Sequence, residues 1–127
     1  MLKRYSLTQL IYLVYCRIRT LLIFSDARII RFPIDIRGKK FIQITKGFTT
    51  GVGCRMEAYP ATDTKVLFVG ENFQMNDYVH ITAMTNITIG KNVLLASKVY
   101  ISDCSHGSYA GDENDSSPLI SPSSRKM

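Results

Sequence analysis

Two histidines, His80 and His106, and three cysteines, Cys16, Cys54 and Cys104, are the side chains that can titrate or attack near neutral pH. His106 stands in the run Ile101-Ser102-Asp103-Cys104-Ser105-His106-Gly107. A neutral imidazole there can take the proton from a hydroxyl as its oxygen attacks an acyl donor, a step worth about 10²–10⁴ in rate. Asp103 could orient the ring, Ser105 could donate a hydrogen bond, and Gly107 leaves room for a substrate to approach. Cys104 is a poor candidate nucleophile, because Cys104 and His106 fall on different corners or faces of one short segment. The five possible sulfur and imidazole ligands show no CxxC or HxxxH spacing, so no metal is expected. An odd number of widely spaced cysteines reads as free thiols in a reducing compartment.

The element that must position His106 is a repeat. Apolar residues return every six positions at Val69, Met75 and Ile81, then at Ile89, Leu95 and Ile101 after a two-residue slip at Ile87-Thr88. Phe48 and Cys54 are placed earlier in the same class. Four residues after these stand Val52, Ala58, Phe73, Val79, Thr85, Val93, Val99 and Ser105, nearly all small, β-branched or apolar, with Phe73 the bulky member. A strand with one buried face would bury every second residue, and a helix every third or fourth. A six-residue period therefore predicts an all-β solenoid in which three hexads close a triangular coil and each coil covers its neighbours. A sandwich of hairpins is disfavoured, because the repeat block contains no Asn-Gly or Gly-Gly turn.

Three segments follow from the pattern: an amphipathic helix within 1–26, repeat coils over 27–107, and a polar loop or tail over 108–127. Ser6 is the expected N-cap, and Leu7, Leu10, Ile11, Val14, Ile18, Leu21 and Leu22 recur at helical spacing. Arg17 and Arg19 would sit inside any membrane span, at about 2.5–3.5 kcal/mol each, so a transmembrane reading is rejected. The helix is instead expected to lie in a membrane interface, to cap the solenoid, or both. From Ala27 to Ile44, Pro33 and Gly38 divide short strands, and Arg28, Arg31, Arg37, Lys39, Lys40 and Lys46 suggest a basic surface. Residues 59–66 break the register and predict a loop at a corner.

The charge is uneven. Residues 1–60 hold 11 Lys and Arg against 3 Asp and Glu, net +8, whereas residues 61–127 hold 5 against 7, net −2. The basic half suits an anionic membrane surface. Nucleic acid is not expected as a partner, because helix-turn-helix, zinc-finger and aromatic RNA-binding patterns are all missing.

The run from Ile89 to Gly107, IGKNVLLASKVYISDCSHG, resembles the IGxNVxIAxxVxIxDxxHG block of the hexapeptide-repeat acyltransferases. It is most similar to bacterial O-acetyltransferases that modify sugars of lipopolysaccharide O-antigen or exopolysaccharide. The resemblance implies a left-handed parallel β-helix, an exception to the right-handed crossover rule. It also implies a homotrimer, acetyl-CoA as co-substrate without a metal, and His106 as general base for a sugar hydroxyl. Asn76 falls where related galactoside enzymes place an acceptor-contacting Asn, whereas His80 reads as a surface residue. Location would be cytoplasmic, peripheral at the inner membrane, where lipid-linked glycan and acetyl-CoA meet.

The family continues past the loop with further hexads and a Trp-Ile-Gly block that build much of the acetyl-CoA groove. This chain has no Trp. It is therefore expected to be an N-terminal fragment that binds acetyl-CoA weakly. The competing reading is a non-catalytic β-helix interaction protein at the membrane surface. A β-helical carbonic anhydrase would need three histidines on zinc, and the sequence holds two.

Overall fold

The computed structural model describes residues 4–103. Cys104, Ser105, His106, Gly107 and the expected tail 108–127 lie outside the described residues. The chain opens with helix α1 (Leu7–Ile23), whose N-cap is Ser6. The Ser6 hydroxyl accepts from the Gln9 backbone and the Gln9 side chain accepts from the Ser6 backbone, a capping box that satisfies two orphan amides reciprocally.

Eleven short strands follow: β1 (Ile29–Ile30), β2 (Ile34–Arg37), β3 (Ile42–Ile44), β4 (Thr49–Thr50), β5 (Cys54–Ala58), β6 (Leu67–Val69), β7 (Gln74–Met75), β8 (His80–Ala83), β9 (Ile87–Ile89), β10 (Leu94–Leu95) and β11 (Tyr100–Ser102). They stack in parallel as three sheets, in the orders β1-β4-β7-β10, β11-β8-β5-β2 and β3-β6-β9. This is the left-handed parallel β-helix that the repeat and its family resemblance imply.

Coil length differs from the expectation of three hexads. Register pairs Ile34 with Cys54, Leu67 with Ile87 and Ile81 with Ile101, a spacing of 20 residues. The second sheet carries longer strands, and Ala58 and Ala83 add a second inward rung after Met56 and Ile81. This surplus is the origin of the two-residue slip. One coil is longer still: Met56 pairs with Ile81, and the five additional residues are accommodated in the 59–66 loop anticipated from the sequence.

Three inward assignments also change. Phe48 and Cys54 do not share rungs with Met75 and Ile81. Those rungs are occupied by Thr50 and Met56, while Phe48 stacks on Phe73 with ring centroids 5.8 Å apart and planes 9° from parallel. Thr50 hides the phase because it is polar, yet it is buried, with its hydroxyl bonded to the Gly51 carbonyl. Thr85 is exposed rather than inward, since the chain is already turning the corner after Ala83.

Corners repeat as faithfully as strands. Gly47, Asn72 and Asn92 occupy one corner of successive coils with φ of 87°, 55° and 58°, and Gly53, Tyr78 and Lys98 occupy another with φ of 70°, 59° and 66°. Asn tolerates this left-handed region better than most residues. Asn72 also donates to Asn92 across 3.2 Å, tying one coil to the next. At Gly47 a Cβ would lie 2.3 Å from the Asn72 carbonyl oxygen of the side chain, so the stacking itself requires glycine.

Helix α1 covers the first coil. Its buried residues are Cys16 and Thr20. The Thr20 hydroxyl accepts from the Ile30 amide at 2.8 Å and donates to the Cys16 carbonyl at 2.6 Å, standing where a preceding strand would otherwise meet β1. Phe24 then packs edge-on against Phe48, 6.5 Å between centroids, so an aromatic column Phe24-Phe48-Phe73 runs down the core from the helix.

Because Phe48 joins helix and coils and is fully buried, Phe48→Ala is expected to lower unfolding stability by about 3–5 kcal/mol, read from the urea midpoint. A loss under about 1 kcal/mol would show that the column is not a structural joint.

Candidate functional site

Asp103 ends the last described strand turn and is the nearest described residue to His106 in sequence. Its carboxylate accepts three backbone amides of the coil above: Oδ1 from Met84 at 2.7 Å, and Oδ2 from Thr85 at 2.9 Å and Asn86 at 2.7 Å. Burial pushes the carboxyl up, but these three donors outweigh it and hold the group below its ordinary value. Ionised Asp103 is thus the clasp of the corner from which the chain proceeds to His106. An ionised carboxylate offers about four lone-pair positions, and three are taken here.

Asn76 lies at a different corner, between β7 and β8. Its backbone amide bonds the Leu95 carbonyl, and its carbonyl accepts the Cys54 thiol at 3.1 Å. Burial raises the Cys54 thiol above its usual range, so this cysteine packs and does not attack. Asn76 helps line a polar groove of about 310 Å³ with Arg31, Thr49, Gln74, Asp77 and Ser97. Asp77 stiffens its floor by accepting the Val52 amide at 2.9 Å. Asn76 and Asp103 therefore stand at opposite margins of the second sheet, in which the four-residue β8 measures about 13 Å along the chain. Ser105, Gly107 and His106 lie outside the described residues, so the structure brings none of the site residues expected from the sequence into contact.

A cluster that sequence reasoning missed occupies the outer face of that sheet. Register aligns Asp35, Arg55, His80 and Tyr100 in one row and Arg37, Glu57, Thr82 and Ser102 in the next. Glu57 is the hub. Its Oε1 accepts from Tyr59 at 2.8 Å and pairs with Arg55 at 2.7 Å and Arg37 at 3.4 Å. Its Oε2 meets His80 Nε2 at 2.7 Å and Thr82 Oγ1 at 2.9 Å. A carboxylate can only accept, so the Nε2 that faces it carries the proton. His80 is accordingly a half-buried, fixed residue under the Tyr100 ring, 4.9 Å between centroids, and not a free surface histidine. The signal was the alternation Arg55-Glu57 against His80-Thr82, which becomes visible once the 25-residue coil is known.

The expected basic surface divides likewise. Arg37 is consumed by Asp35 and Glu57, and Lys40 meets Asp63 at 3.3 Å, whereas Arg28, Lys39 and Lys46 are exposed. Among the described residues Cys16 and Cys54 are free thiols, and no group of three His, Cys, Asp or Glu could hold a metal ion.

Stacked parallel coils with left-handed corners define a left-handed parallel β-helix. Over 125 residues, 98% of the chain, the sequence is 42% identical to WbbJ of Escherichia coli (strain K12), whose name describes a lipopolysaccharide biosynthesis O-acetyl transferase. The chain spans 62% of that protein's length. Neither a protein-family model nor a solved structure matches it.

Burial raises the Glu57 carboxyl, but bonds from His80, Tyr59 and Thr82 and the charge of Arg55 more than reverse this and bring it to about 2. A depressed carboxylate contributes stability that is complete above the unfolded value, 4.5, and is lost as pH falls towards 2. Glu57→Gln should therefore flatten the fall in stability between those pH values, measured by urea unfolding at several pH settings. A variant with the wild-type slope would show that other carboxylates carry the acid sensitivity.

Proposed function

We propose that the chain is an O-acetyltransferase that moves an acetyl group from acetyl-CoA to a sugar hydroxyl in lipopolysaccharide O-antigen or exopolysaccharide biosynthesis. The observation that carries this is the 42% identity to the E. coli protein, which runs through the coils and includes the Asp103-to-Gly107 stretch within its 125 residues. In the proposed reaction the hydroxyl oxygen attacks the thioester carbonyl while His106 takes its proton. The carbon–sulfur bond then breaks, and the imidazolium returns the proton to the departing thiolate. No acyl-enzyme and no metal is needed.

Asp103 is a positioning residue in this reading. Its three amide bonds fix the corner from which the chain leads to His106, and its carboxylate orients the His106 ring. Ser105 and Gly107 complete the acceptor's surroundings, and Asn76 contacts the acceptor from the polar groove. The active assembly is a homotrimer, a reading supported by the resemblance of the Ile89-to-Gly107 run to the hexapeptide-repeat acyltransferases. The enzyme works in the cytoplasm at the periphery of the inner membrane. No helix among the described residues is long and apolar enough to cross a membrane.

The test is transfer of labelled acetyl from acetyl-CoA to O-antigen glycan by protein expressed from the complete gene. His106→Ala is expected to lower the rate by about 10²–10⁴ while leaving the circular dichroism unchanged. An unchanged rate would remove His106 from the reaction.

A further inference from the structure

Helix α1 carries apolar residues on both sides. The face packed on the solenoid combines Tyr12, Cys16, Thr20 and Ile23, with the Tyr12 hydroxyl donating to the Phe32 carbonyl. The face turned outward is aliphatic. Leu7, Ile11, Val14, Ile18, Leu21 and Leu22 are each 50–81% exposed, and their spacing places them on one side of the helix. A soluble surface ordinarily scatters such residues singly, so a continuous stripe six residues long marks a contact.

Charge identifies the partner. Helix α1 contains no acidic residue, and Arg17 and Arg19 project from the two borders of the stripe. The Arg17 guanidinium reaches the Ala27 carbonyl at 3.5 Å. Arg19 lies 4.1 Å above the Phe32 ring and donates to the Tyr15 hydroxyl, and Lys39 lies 5.0 Å from the Phe24 ring. Among the described residues none of these three cations is paired with a carboxylate. Arg19 and Lys39 stand over a groove of about 430 Å³ whose walls are Leu22, Phe32, Ile34 and Ile36. A cleft with apolar walls and two cations at its rim fits a lipid phosphate with the start of its acyl chains. A second copy of the chain fits poorly, because two stripes face to face would oppose Arg17 and Arg19 to their own kind.

We infer that the outer face of α1, with the Arg19–Lys39 groove beside it, docks on an anionic phospholipid bilayer, the helix lying in the plane of the interface. Because α1 covers the open edge of the first coil, the solenoid axis then rises from the membrane. The Asp103 corner stands in the fourth coil, about 14 Å beyond the first at one strand spacing per coil. Docking would thus hold the catalytic end towards the cytoplasm while fixing its height above the lipid.

The inference rests on the peripheral location proposed above but not on the transfer reaction, and its test separates the two. The protein is sedimented with vesicles of phosphatidylcholine alone and with vesicles that also contain phosphatidylglycerol. Binding is expected only to the latter and should weaken with salt. Ile18→Asp, at an exposed site, should reduce vesicle affinity at least about tenfold, with far-ultraviolet circular dichroism unchanged. Arg19→Gln combined with Lys39→Gln should reduce it roughly fivefold per charge. Absence of binding to anionic vesicles, equal binding to both vesicles, or full binding by Ile18→Asp would overturn the docking. So would light scattering in which the same substitution dissolves an oligomer while vesicle affinity is unaffected. Acetyl transfer to a soluble acceptor reads the other claim. Intact transfer without vesicle binding removes the docking alone, and vesicle binding without transfer removes the enzymatic reading alone.

Discussion

The structure depends on one constraint: each coil completes the backbone hydrogen bonding of its neighbour, so equivalent residues must stay stacked. A two- or three-residue strand cannot stand by itself. Here such strands persist because Thr49 and Gln74, then Gln74 and Leu94, meet in register across successive coils. The left-handed corners at Gly47, Asn72 and Asn92 return the chain to the same place after each circuit. Helix α1 supplies the missing neighbour at the first coil, where Thr20 takes the β1 amide. The aromatic column beneath it makes helix and coils one folding unit.

The same constraint decides where chemistry can occur. Inward positions are filled by apolar side chains except at Thr50, and the outer face of the second sheet neutralises itself, as the Glu57 hub does with two arginines, a histidine, a tyrosine and a threonine. Asp103 spends three acceptor positions on holding its own corner to the 84–86 turn.

Much of this was legible in the residues. The period of Val69, Met75 and Ile81 disclosed the solenoid, Ser6 the helix start, and the broken register at 59–66 the projecting loop. The early phase was misassigned because Thr50 is a buried polar residue on an apolar rung, and the surplus pair in each coil was mistaken for a single slip. The Glu57–His80 contact was invisible because the residues are 23 apart and meet only through a coil whose length the loop conceals. Helix periodicity showed that α1 had an aliphatic face, but not that the solenoid would take the face of Cys16 and Thr20 instead. Thr20 carries no hydrophobic signal, although it makes the bond that sets the orientation.

The proposed acetylation of a cell-surface glycan by this β-helix is tested most directly by the mass of that glycan. Mass spectrometry of the O-antigen or exopolysaccharide from cells with and without the gene should reveal one added acetyl group only when the gene is present, removable by mild alkali as an ester is. Glycan of identical mass and ester content in both strains would contradict it.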